Sequence, residues 1–154
     1  MFKVVLHEPE IPPNTGNIIR LCANTGAALH LIEPLGFGID DARLRRAGLD
    51  YREFASMAVH PNLQAFLDAE GSNRLFTFST RGETRHDHVQ WQSGDAMLFG
   101  PETRGLPDSV LALVPAERRI RLPMRPDNRS LNLGNAVAIA VFEAWRQHDF
   151  AGAI

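Results

Sequence analysis

The sequence predicts an α/β fold in which a mostly parallel sheet carries helices on both faces. Short runs such as Lys3–His7, Leu29–Ile32 and Ala96–Phe99 are mostly apolar rather than alternating with polar residues, as strands buried on both faces are. Between these runs lie segments with helical spacing of apolar residues, and strands alternating with helices are the pattern of parallel sheets built from crossovers. The composition, 44% hydrophobic and 22% charged over 154 residues, suits one soluble domain over 1–154 with a core of its own.

Taken in order, Lys3–His7 reads as a buried strand and Glu8–Pro13 as a loop. A helix is expected from about Asn14, with Asn14 or Thr15 as its cap. Ile18, Leu21, Cys22 and Thr25 keep helical spacing until Gly26 stops it. Leu29–Ile32 is a second strand. Asp40–Gly48 reads as a short helix, with acids first, Arg43, Arg45 and Arg46 later and a glycine stop, the order the helix dipole favours. Met57–Val59 is expected as a strand, Asn62–Ala69 as a helix and Leu75–Thr80 as a strand. After a polar loop over Arg81–Asp95 come a strand at Ala96–Phe99, a helix at Asp108–Val114, a strand at Arg118–Leu122 and a last helix capped by Ser130 or Asn132.

That last helix is anomalous. Ala136–Phe142 holds no polar residue, so it is apolar on every face, whereas a surface helix shows one apolar stripe. A membrane, an enclosing fold or a partner subunit must cover it. Seven residues fall far short of the roughly 20 that span a bilayer, and the start, Met1–Glu8, meets charge too early for a signal peptide. The expectation is a cytoplasmic protein without a membrane segment. The single cysteine, Cys22, fits a reducing compartment and has no internal partner for a disulfide.

Net charge is −2, so no global positive field advertises nucleic-acid binding. The arginines, however, cluster at Arg43, Arg45, Arg46 and Arg52 and again at Arg118, Arg119, Arg121, Arg125 and Arg129, while Lys3 is the only lysine. Arginine's planar fork suits phosphate. The first cluster reads equally as a solvated face paired with Asp40, Asp41 and Asp50. Several chemistries lack their signatures: there is no Gly-x-Gly-x-x-Gly, no Walker loop and no Gly-x-Ser-x-Gly elbow. His86-Asp87-His88 is the one close histidine pair along the chain and reads as a surface loop, so no metal is expected. Cys22, among apolar neighbours, reads as core.

In open parallel sheets, ligands sit beyond the carboxyl ends of strands. Three segments there concentrate polar and conformationally special residues: Asn14-Thr15-Gly16-Asn17-Ile18-Ile19-Arg20, Gly100-Pro101-Glu102-Thr103-Arg104-Gly105-Leu106-Pro107 and Ser130-Leu131-Asn132-Leu133. Each alone also reads as a plain turn, a helix cap or a solvated helix face. Together, in this order, they resemble the three motifs of the SPOUT methyltransferases. The likeness runs over essentially the whole chain, including Arg45–Tyr51, and is greatest to the small TrmL (YibK-like) tRNA wobble-nucleotide 2′-O-methyltransferases.

The resemblance implies an α/β domain with a C-terminal deep trefoil knot, an exception to ordinary fold topology, with S-adenosylmethionine as cofactor. It implies a homodimer through the first and last helices, which would cover Ala136–Phe142. It places Phe78, Gly100, Glu102, Gly105, Leu122, Ser130 and Leu131 at the cofactor, and Arg20 at the reaction, assisted by Asn14 and Asn132. Arg43, Arg45, Arg46 and Arg129 become the expected RNA contacts. The implied substrate is the anticodon stem-loop of a tRNA, methylated on the ribose of C34 or modified U34 in leucine tRNAs. Another tRNA or rRNA position, or an RNA-binding dimer without catalysis, are the alternatives.

Overall fold

The computed structural model describes residues 1–40, 42, 51–54, 56–71 and 74–154. The elements are β1 Lys3–His7, α1 Pro12–Thr25, β2 Ala28–Ile32, α2 Tyr51–Phe54, β3 Met57–His60, α3 Leu63–Glu70, β4 Leu75–Phe78, β5 Thr84–Arg85, β6 Ala96–Phe99, α4 Asp108–Leu111, β7 Arg119–Arg121 and α5 Leu133–Arg146. One-turn 3₁₀ segments lie at His86–His88 and Ala116–Arg118. The described strands form one sheet in the order β3-β2-β1-β6-β4-β7-β5, and its pairings are parallel. The chain starts in the middle of the sheet, moves outward to β3, then crosses back to build the other half.

Why the central strands are apolar throughout follows from the two layers. Val4 and Leu6 of β1 face a core shared with Ile18, Ile19 and Cys22 of α1 and Val137, Ala140, Val141 and Ala144 of α5. Val5 faces the other way, onto a second core with Leu63 and Phe66 of α3 and Leu106 and Val110. Neither face of such a strand meets water, so the period-2 alternation of a half-exposed strand is absent. Cys22 belongs to this packing: burial pushes its thiol up to about 12, which keeps it protonated and inert.

Several boundaries differ from the sequence expectation for local reasons. α1 begins at Pro12, with Ile11 in the capping position, so neither Asn14 nor Thr15 caps it. Pro12 and Pro13 occupy the first turn, where a missing N–H breaks no helical bond, and Gly26 closes the helix with a left-handed φ of +77°. β4 ends at Phe78 and α4 at Leu111, both shorter than expected. β5, two polar residues pairing with β7 at the sheet edge, falls within the segment expected as loop. The helix expected over Asn62–Ala69 is α3, Leu63–Glu70, with Asn62 as its cap, accepting from Ala65 N at 2.8 Å. The helix expected over Asp40–Gly48, with Arg43, Arg45 and Arg46, lies almost wholly outside the described residues.

α5 keeps the anomaly of its sequence. Val137, Ala140, Val141 and Ala144 are buried against the sheet, yet Ile139 and Phe142 are 42% and 45% exposed. The fold covers one side of this helix and leaves the other open. No helix among the described residues is long and apolar enough to cross a membrane.

Candidate active site

A cavity of about 460 Å³ opens beyond the carboxyl ends of β4, β6 and β7, the place where open parallel sheets bind ligands. Phe78 ends β4 and Ser79 to Arg81 follow it, Phe99 ends β6 and Gly100 to Leu106 follow it, and Leu122 and Met124 follow β7. Arg129 to Leu133 and Ala136 enter from the start of α5, and Ile11 and Asn14 from the start of α1. The Phe78 and Phe99 rings stack with centroids 4.5 Å apart, giving the cavity a flat apolar floor.

The segment after β6 is a loop that folds back on itself. A Cβ on Gly100 would lie 2.4 Å from both the Gly105 carbonyl carbon and the Leu106 nitrogen, so only glycine permits that approach. Gly105, at φ +68°, makes the return turn, and its N–H donates to Pro101 O at 2.9 Å. Glu102 then ties the loop to the start of α1. Its carboxylate accepts from Glu10 N at 2.8 Å and Ile11 N at 3.3 Å. Glu10 answers by accepting from Thr103 N at 3.1 Å and Thr103 Oγ1 at 2.7 Å, bonds that hold its carboxyl below the usual range.

Across the cavity, Asn132 does two things. Its Oδ1 caps α5 by accepting from Asn135 N at 3.2 Å, and its Nδ2 donates to Asn14 Oδ1 at 3.0 Å. Residues separated by 118 positions in the chain thereby become neighbours. Arg129, Ser130 and Leu131 stand exposed at the mouth.

Of the site residues expected from the sequence, Asn14, Phe78, Gly100, Glu102, Gly105, Leu122, Arg129, Ser130, Leu131 and Asn132 all line this one cavity. Glu102 does so with its carboxylate engaged by backbone N–H groups, so in this geometry it shapes the rim. Arg20 is not among the lining residues. It lies two turns along α1, where its Nε donates to Glu53 Oε1 at 3.3 Å. Arg43, Arg45 and Arg46 lie outside the described residues. Ser79, Thr80, Arg81, Met124 and Leu133 also line the cavity; the strand expected over Leu75–Thr80 hides the first two, and the place of all three after a strand's carboxyl end is the available signal.

A profile of the SpoU rRNA Methylase family matches residues 1–142. The tRNA (cytidine(34)-2′-O)-methyltransferase of Escherichia coli K12 is 60% identical over 154 residues, covering 100% of this chain and 98% of its own. A solved structure concerned with 2-OH methylation of C/U34 on tRNA matches with a TM-score of 0.89 at 46% identity, covering 97% of both chains. An AdoMet-bound rRNA methyltransferase from Sinorhizobium meliloti matches with a TM-score of 0.81 at 26% identity, covering 94% of this chain and 56% of that one.

Proposed function

The chain belongs to the SpoU rRNA methylase family, and from that membership we propose that it is an S-adenosylmethionine-dependent tRNA 2′-O-methyltransferase acting on the wobble ribose, C34 or modified U34 of leucine tRNAs. The observation that carries the reading is the convergence of the three sequence motifs: Asn14, the Gly100–Leu106 loop and Ser130–Asn132 border one cavity.

The cavity suits the cofactor. Its volume lies within the roughly 300–1,000 Å³ of small-molecule sites; Phe78, Phe99, Leu122 and Leu133 offer apolar surface for a flat base, and Arg81 and Arg129 stand near for a carboxylate. The cradle that Gly100 keeps free of a side chain lets main-chain groups approach the ligand. The family's deep trefoil knot belongs to the same reading, supported by the way residues 122–133 close onto the loops after β4 and β6.

S-adenosylmethionine supplies, when bound, a sulfonium-activated methyl group that asks only for an aligned nucleophile. The protein's share is alignment, and good orientation is worth about 7–11 kcal/mol of barrier. Asn14 and Asn132 present a fixed amide pair at the cavity wall. Arg20 orients the ribose or its phosphate and stabilises the developing alkoxide; it is not the base, because a guanidinium with a pKa above about 12 keeps its proton. Since Arg20 stands off the cavity of its own chain, its role rests on a homodimer through α1 and α5. The exposed Ile139 and Phe142 beside α1 support that assembly. Arg129 at the mouth, with Arg43, Arg45 and Arg46, would hold the tRNA backbone, and such a substrate places the protein in the cytoplasm.

Incubation with labelled S-adenosylmethionine and bulk tRNA, followed by nuclease digestion and mass spectrometry, tests the reading. The expected product is 2′-O-methylation at position 34 of leucine tRNAs. Methylation confined to another position would replace the substrate, and cofactor binding without transfer to any RNA would leave a non-catalytic RNA-binding dimer.

A further inference from the structure

We propose that His30, His60 and Glu70 form a structural site for one divalent transition-metal ion, zinc foremost, at the sheet edge away from the catalytic cavity. Their spacing along the chain matches no metal motif; the fold brings them together. β2 and β3 pair with His30 opposite Ala58 and Ile32 opposite His60, so the two histidines share a face, two residues apart. His30 Nδ1 lies 2.9 Å from His60 Nε2. Glu70, the last residue of α3, places Oε1 3.8 Å from His30 Nδ1, and the three ligand atoms lie within 4.8 Å of one another. No other such group was found among the described residues.

The donor set and spacing fit. Zinc binds imidazole nitrogen at about 2.0–2.1 Å and carboxylate oxygen at about 2.0–2.2 Å in tetrahedral geometry, which sets neighbouring ligand atoms about 3.4 Å apart. The 2.9 and 3.8 Å separations bracket that value and all three ligand atoms lie within 4.8 Å of one another, so a bound ion would replace the His30–His60 hydrogen bond and draw the Glu70 carboxylate in. Two imidazoles and a carboxylate favour zinc, copper or nickel over magnesium or calcium, and leave a fourth position for water.

The surroundings are those of a built site. His30 and His60 are 5% and 9% exposed, and the Phe66 ring lies edge-on to both, at 5.0 and 5.3 Å. Lys3 Nζ sits 3.3 Å from the other oxygen of Glu70, orienting the carboxylate as outer-sphere partners of metal ligands do. Burial holds His30 below the usual histidine range; Glu70 opposes this, while His60 and Lys3 add to it. β1 separates the cluster from β6, β4 and β7, so the ion would pin the edge strand β3 and the end of α3 rather than take part in methyl transfer.

Titrating metal-stripped protein with Zn²⁺, and with Co²⁺ as a spectroscopic probe, tests the site. One equivalent should bind, with the visible absorption of four-coordinate Co²⁺. At a hundredfold excess over Kd the Tm should rise by roughly 5–10 °C, and binding should weaken as the pH falls and protons compete with the metal for its ligands. Glu70→Gln, at a half-buried helix end, should weaken binding about tenfold or more, and His60→Asn should abolish it, with circular dichroism reporting that both variants fold. Zinc affinity weaker than about 10 µM, or stoichiometric binding undiminished in Glu70→Gln, would overturn the proposal.

Discussion

The loop from Gly100 to Leu106 and the segment from Arg129 to Asn132 line the same cavity, but the first is locked by its own backbone and the second is held from outside. Gly100 packs directly on the Gly105–Leu106 peptide, and Leu106 is buried in the core beneath α4. Arg129, Ser130 and Leu131 are exposed, and the anchor of their segment is Asn132, bonded to Asn135 and Asn14. Both walls nevertheless refer to one post. Glu102 grips Glu10 and Ile11 at the start of α1, and Asn132 grips Asn14 in its first turn. A preformed half and an adjustable half, keyed to the same helix, suit a site that holds a small cofactor and then accepts a large substrate.

The largest effect is expected where the locked wall is broken. Gly100→Ala puts a methyl group 2.4 Å from backbone atoms that no rotamer can move, so the loop itself must shift. A loss of about 2–3 kcal/mol in urea unfolding should accompany loss of S-adenosylmethionine binding by calorimetry. Full cofactor affinity in this variant would mean that the loop is not the preformed half.

A smaller loss is expected at the tether. Glu102→Ala removes the acceptor of the Glu10 and Ile11 N–H groups, which water can partly replace at these half-open positions, so the cost is about 1 kcal/mol, and turnover should fall because Asn14 loses its reference. Glu102→Gln keeps one carbonyl acceptor and should recover part of both. If instead cofactor affinity drops while stability is unchanged, the carboxylate acts on the cofactor and the tether is incidental.

The two walls were unequally legible in the sequence. Strand runs such as Val4–Leu6 and Ala96–Phe99 announced the sheet because burial on both faces leaves no polar residue in them. The glycines of 100–106 marked a special backbone, though not which atoms they met. The bond from Asn132 to Asn14 spans 118 positions, and no periodicity encodes such a contact; the joint likeness of three segments to one family put both residues at one site without pairing them. Arg20 is named by the motif alone, and in the fold its Nε donates to Glu53, off the cavity of its own chain. His30 and His60 show the opposite case, a contact made by strand register between residues that share no motif.

The smallest change in stability should come from Asn132→Asp, and it separates the two jobs of that side chain. An aspartate still accepts from Asn135 N, and its negative charge is favoured at a helix N-terminus, so unfolding should move by no more than about 0.5 kcal/mol. It cannot donate to Asn14, however, so the 3.0 Å bond survives only with the Asn14 amide turned over and donating its Nδ2 to the carboxylate, which reverses the polarity the pair presents to the ribose. Methyl transfer should therefore fall about tenfold or more with the cofactor still bound, whereas Asn132→Ala should lose about 1 kcal/mol of cap as well. Unimpaired turnover in Asn132→Asp would show that the adjustable wall needs only its helix cap, and that the amide pair does not orient the ribose.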